Sequence, residues 1–174
     1  MIRATAPKRS LAMAIALAAV PLAPPLLAKD SLGVYAQWAA FRDAEVPRCY
    51  AIAQSGGRAA AKGYASVGTW PKRGVRGQVH VRLSRALATN ANARLAVGSR
   101  RFTLTTKGQD AWTKDKAMDA AIIAAIRSAT RMSISATAAN GRRFTDRYAL
   151  EGAATAMDAA LVGCASFRPA KLER

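Results

Sequence analysis

Cysteine occurs only twice in the 174 residues, at Cys49 and Cys164, and a bond between them would tie most of the chain into one loop. Whether they can bond depends on where the chain folds, and the first 28 residues bear on that. Arg3, Lys8 and Arg9 precede the apolar run LAMAIALAAV, and PLAPPLLA then closes on a small residue, Ala28. Basic, apolar and small-residue segments in that order form a secretory signal peptide, so residues 1–28 are expected to be removed on export. The apolar run is about half of the ~20 residues that a spanning helix needs, and proline at positions 21, 24 and 25 interrupts its extension. No transmembrane anchor is therefore expected, and Lys29 at the cleavage point offers no thiol to a lipid. An exported chain meets an oxidising compartment, which permits a Cys49–Cys164 disulfide; the alternatives are two free thiols or pairing between chains.

The remaining residues, 29–174, have the length of a single domain with an ordinary core. Loss of the leader removes three of the 27 Lys and Arg and none of the ten Asp and Glu, which leaves 24 against 10, a formal charge of +14. Such a balance favours an anionic envelope component, lipid or polysaccharide, or an acidic protein. Export argues against nucleic acid. A basic surface kept only for solubility is the competing reading.

Hydrophobic periodicity supplies the elements. Residues 34–42, VYAQWAAFR, read as one strand between Gly33 and Asp43. RCYAIAQ (48–54) reads as a second, with Tyr50 and Ile52 on one face and Cys49, Ala51 and Ala53 on the other. YASVGTW (64–70) reads as a third, followed by a basic turn carrying Lys72, Arg73 and Arg76. QVHVRLSRA alternates with Val79, Val81 and Leu83 inward, which turns His80 to solvent. RLAVGSRRFTLTT (94–106) is a hairpin with Arg100 and Arg101 near its turn, Gly108 stops its second strand, and Trp112 is a core or rim aromatic. From Asp115 to Ala129, Met118, Ile122 and Ile126 recur at helical spacing with Asp115 at the start. RMSISATA and RRFTDRYALE flank Asn140-Gly141, a strong hairpin signal, with Arg142 and Arg143 just beyond it. Asp146 falls in an apolar register and is expected to pair with an arginine at the sheet edge. A final helix, AATAMDAALVGCA, sets Met157, Leu161 and Cys164 on one stripe.

Catalytic groupings are lacking. The sole histidine, His80, points away from any nucleophile, and one histidine with two core-facing cysteines falls short of a zinc set. Lys62-Gly63 precedes Tyr64, not the Ser or Thr that a phosphate-binding loop requires. No enzyme activity, cofactor or metal is expected, and a hydrolase with an unrecognised site is the minor alternative. The seven turn cations, Lys72, Arg73, Arg76, Arg100, Arg101, Arg142 and Arg143, are the candidate anion-binding residues. In an up-and-down sheet at least two of their three clusters must share an end.

The order W-A-A-F-R-D (38–43), R-C-Y-A-I-A-Q (48–54), F-T-L-T-T-K-G-Q-D-A-W (102–112), an alanine-rich helix, a hairpin and a cysteine-bearing helix resembles the invasion-associated locus B family of exported proteins from alphaproteobacteria. The likeness covers most of residues 36–165 and rests on structural residues, since the family supplies no catalytic residues to carry over. It implies a sandwich-like β domain in the periplasm or outside the cell, with some members linked to entry into host cells. The expected fold is therefore mainly β, an antiparallel immunoglobulin-like sandwich with two α-helices packed on it.

Overall fold

The computed structural model describes residues 29–57 and 61–165; the expected leader, residues 1–28, lies outside them. Ten strands and two helices follow one another as β1 (Asp30–Tyr35), β2 (Trp38–Asp43), β3 (Arg48–Gln54), β4 (Tyr64–Trp70), β5 (Val75–Arg82), β6 (Ala93–Val97), β7 (Arg100–Lys107), β8 (Asp110–Trp112), α1 (Lys116–Ser128), β9 (Arg131–Thr137), β10 (Arg143–Ala149) and α2 (Ala153–Gly163). All strand pairs are antiparallel, in the order β1-β2-β3-β4-β5-β8-β7-β6-β9-β10. This is the mainly β, two-helix architecture expected from the sequence.

β7 belongs to both halves of the sheet. Its first residues, Arg100 to Leu104, pair with β6, and its last, Thr105 to Lys107, pair with β8. The sheet turns there and brings β10 round to the β1–β5 half in a sandwich-like arrangement. Two long-range bonds fix that approach: Gly56 N–H donates to the Arg147 carbonyl at 2.8 Å, and Trp38 Nε1–H to the Ala149 carbonyl at 2.9 Å. Trp38 is 1% exposed and is the largest buried side chain. One continuous apolar core results, built from alternate residues of each strand.

β3 shows why this sequence makes this core. Cys49, Ala51 and Ala53 are buried while Tyr50 and Ile52 face outward, as the period-two pattern requires. Small inward side chains let α2 lie close, and the buried residues of α2 are likewise mostly alanine: Ala153, Ala156, Met157 and Ala160, followed by Cys164. The bond from Cys49 to Cys164 is formed, with Cα atoms 5.6 Å apart. Leu161, expected on this stripe, is half exposed. At 100° per residue it stands about 80° from the centre of a face defined by positions 153, 156, 157, 160 and 164. α1 begins where expected. Asp115 is its N-cap, accepting the Met118 N–H at 2.7 Å, and Ile122 and Ile126 are buried. Asp119 is buried in the first turn and accepts the Val79 N–H at 2.8 Å and the Thr113 hydroxyl at 2.7 Å, which docks the helix on β5 beyond the end of β8.

Two further expectations are corrected. Residues 34–42 are not one strand but parts of β1 and β2, joined at Ala36-Gln37, with Tyr35 opposite Trp38. Ala36 takes φ +51°, so the reversal is made without the glycine or asparagine that would have announced it. Asp146 does face inward, but its partner is no arginine. Its carboxylate accepts the Ser84 N–H at 2.8 Å and the Ser84 hydroxyl at 2.6 Å, with all of these groups buried. The bond pins the end of β5 to β10 across the sandwich. Asp146→Ala would leave both Ser84 donors unpaired in the interior and is expected to cost about 2–4 kcal/mol in urea unfolding. Asp146→Asn can still accept one donor and give a hydrogen to the hydroxyl, so it should cost less than half as much. A negligible loss for Asp146→Ala would show that the pairing does not matter. On the same face, burial and then the Asp146 charge push the Tyr148 phenol up, and its hydroxyl is buried without a hydrogen-bond partner among the described residues.

Candidate functional site

The seven candidate cations sit on three hairpins. Lys72 and Arg73 lie in a single 3-10 turn after β4, closed by Gly74 at φ +64°, and Arg76 follows in β5. Arg100 and Arg101 open β7, where Arg100 lies 5.4 Å from the Phe102 ring and Arg101 donates to the Gly98 and Arg100 carbonyls. Arg142 and Arg143 follow Asn140-Gly141, and Asn140 Oδ1 accepts the Arg142 N–H at 3.1 Å. All seven are exposed, and none pairs with a carboxylate among the described residues.

Strand direction settles which clusters share an end. β4 and β6 occupy the fourth and eighth places of a fully antiparallel order, so they run the same way and their following turns lie at one end. α1 lies between those turns, with Ile123 at Gly77 and Ala129 at Gly98. β9 runs the opposite way, from Met132 opposite Val97 to Thr137 opposite Arg143. Its seven residues put the Arg142-Arg143 turn about 20 Å away at the other end. Five of the cations thus lie toward one end, on either side of α1, and two lie at the other.

The aspartates are taken up elsewhere than at these cations. All seven aspartates are engaged within the fold. Asp119 and Asp146 are buried acceptors and Asp115 caps α1. Asp30 pairs with Arg42 at 2.6 Å, Asp43 with Arg48 at 3.3 Å, Asp110 with Arg82 at 3.0 Å and Asp158 with Arg127 at 2.5 Å. The Val46 N–H, followed by Arg48, holds the Asp43 carboxyl below its ordinary value, and the Arg127 guanidinium does the same for Asp158.

His80 is on the outward face, as its register demands, but it is not simply solvated. Its Nε2 is 3.0 Å from Asp110 Oδ1, and its ring lies beside Trp112 and Tyr64. Trp112 is therefore an outer-face aromatic. Reading along the chain misses this grouping because its members come from β4, β5 and β8, and β8 is only three residues long. No group of three or more His, Cys, Asp or Glu among the described residues could hold a metal ion.

These features define a small, mainly β protein with one disulfide and, among the described residues, no helix long and apolar enough to cross a membrane. The family profile of the Invasion associated locus B (IalB) protein matches residues 48–161, and the chain belongs to that family. The crystal structure of invasion associated protein B from Bartonella henselae is similar, with a TM-score of 0.56 at 16% identity over 78% of this chain and 96% of that one. At that identity the likeness is one of fold. No curated protein matches the sequence.

Proposed function

We propose that the protein is an exported, non-enzymatic binding module of the cell envelope or its surroundings, which engages anionic partners through its basic turns. One observation carries this reading: the aspartates are engaged by other groups of the chain while the turn cations are exposed and unneutralised. A field of one sign at a molecular end attracts an oppositely charged surface. The family's envelope association and the disulfide support export, and the leader-like residues 1–28 supply its route.

The test compares two double variants on vesicles of mixed neutral and anionic lipid. Arg73→Ser with Arg100→Ser removes charge from the five-cation end, and Arg142→Ser with Arg143→Ser removes it from the other. With about 1 kcal/mol per cation near an anionic surface, the first pair should weaken binding on the order of tenfold at low salt, and the second pair less. Melting temperatures should stay near that of the wild type. Absence of wild-type binding at low ionic strength, or equal binding by all three proteins, would leave only a solvated basic surface.

A further inference from the structure

The outer face of β3, β4, β5 and β8 carries aromatic side chains where a solvent-facing antiparallel sheet ordinarily carries polar ones. Tyr50, Tyr64, Trp70 and Trp112 project away from both helices, and each is half-buried. Between them the floor drops to Ser66, Gly68 and Gln78, giving an open groove of about 360 Å³. Gly68 is necessary to that shape. The six-membered ring of Trp70 passes over it, and a Cβ there would stand 2.6 Å from Trp70 Cη2. His80 is fixed on the wall, 5.4 Å from the Trp112 ring centre, 5.8 Å from that of Tyr64 and bonded to Asp110. Arg48 lies 4.9 Å over the Tyr50 ring, and Lys29 lines the same groove.

We propose that this groove binds an acidic oligosaccharide. A pyranose ring has an apolar C–H face and a rim of hydroxyls, and the groove offers the matching halves: aromatic rings to stack on, with the Gln78 amide, Ser66 and His80 as hydrogen-bonding groups beside them. A wholly apolar partner would leave those polar groups unpaired. A small free anion would make no use of four rings. Charge selects an acidic sugar, because Arg82 already meets Asp110 at 3.0 Å and Arg48 meets Asp43 at 3.3 Å, while Lys29 on the groove wall is left to face a sugar carboxylate. None of the seven turn cations lines this groove, and the proposal does not depend on their role.

Titration of the mature protein with trigalacturonate, with maltotriose as the neutral counterpart, tests this. Trigalacturonate should quench tryptophan fluorescence and shift the amide resonances of Tyr64, Gln78, His80 and Trp112 before those of the three basic turns. It should bind roughly tenfold more tightly than maltotriose, and Trp112→Ala should weaken it roughly tenfold, the loss typical of a stacked aromatic anchor. Lys29→Ser should narrow the preference for the acidic sugar, and Arg142→Ser with Arg143→Ser should leave it unchanged. If Trp112→Ala melts early, Gln78→Ala on the same face should still weaken binding. Resonance shifts confined to the basic turns would overturn the proposal. So would unchanged affinity in both groove variants, or occupation of the groove by a proline-rich peptide or a single-stranded oligonucleotide when neither sugar enters it.

Discussion

Replacing Cys49 and Cys164 together with alanine is expected to lower stability by about 4–5 kcal/mol. The bond spans a sequence separation of 115 residues. In the chain-entropy account its main effect is on the unfolded state, which loses the freedom to hold its ends apart, and the effect grows with loop length. Both cysteines are buried, at 0% and 5% exposure, so reductant should reach the bond only as the protein opens. For a domain of this size the loss corresponds to roughly 10–20 °C in melting temperature. Thermal melts of oxidised protein, reduced protein and the double variant provide the check. Coincident curves would mean that the bond contributes nothing.

Gly152→Ala should be nearly as damaging, for a different reason. Gly152 precedes α2 with φ +81°, and a Cβ added there would meet the Tyr35 carbonyl oxygen at 1.9 Å and its carbon at 2.5 Å. Those atoms are backbone in the β1–β2 reversal, so no rotamer change relieves the overlap. Either the reversal or the start of α2 must move, and α2 is held by the Cys49–Cys164 bond at its far end. Left-handed strain adds to the collision, and the sum should reach about 3 kcal/mol or more. Gly74→Ala is the control. It has φ +64° with nothing within 4 Å of the added carbon, so it should cost only about 1 kcal/mol for the backbone conformation. Urea titration of the two variants separates collision from strain, and equal losses would deny the Gly152 contact.

What could be read from the sequence was whatever is local. β3 and β4 begin and end where their alternation does, α1 starts at the aspartate that caps it, and Asn140-Gly141 lies in the turn between β9 and β10. Each of these depends on residues a few positions apart, so periodicity and turn chemistry suffice. The disulfide was legible by arithmetic, because two cysteines offer one intramolecular pairing. The β1–β2 reversal was not, since Ala36 and Gln37 are not turn residues by type and the conformation is imposed by the pairing of the strands around them. Asp146 and Ser84 lie 62 positions apart, and nothing in either neighbourhood names the other. The candidate cations could be located on turns but not grouped, because grouping needs the strand order. The aromatic groove was missed for the same reason: its rings are spread over β3, the two ends of β4, and β8, and only the pairing of β8 with β5 sets Trp112 beside His80.

Among the described residues the sheet does not close, and β1 forms one of its two edges. An open edge is a template on which a second chain can add a strand. Here the template is spoiled. The register of β1 slips between Ser31 and Gly33, Gly33 takes φ +134°, and the Tyr35 hydroxyl folds back to the Leu32 carbonyl at 3.0 Å, so no long run of evenly spaced donors and acceptors is on offer. Asp30 and Arg42 add a charge pair at the start of the strand. At high concentration, this irregular border disfavours the addition of a neighbouring copy's strand along β1.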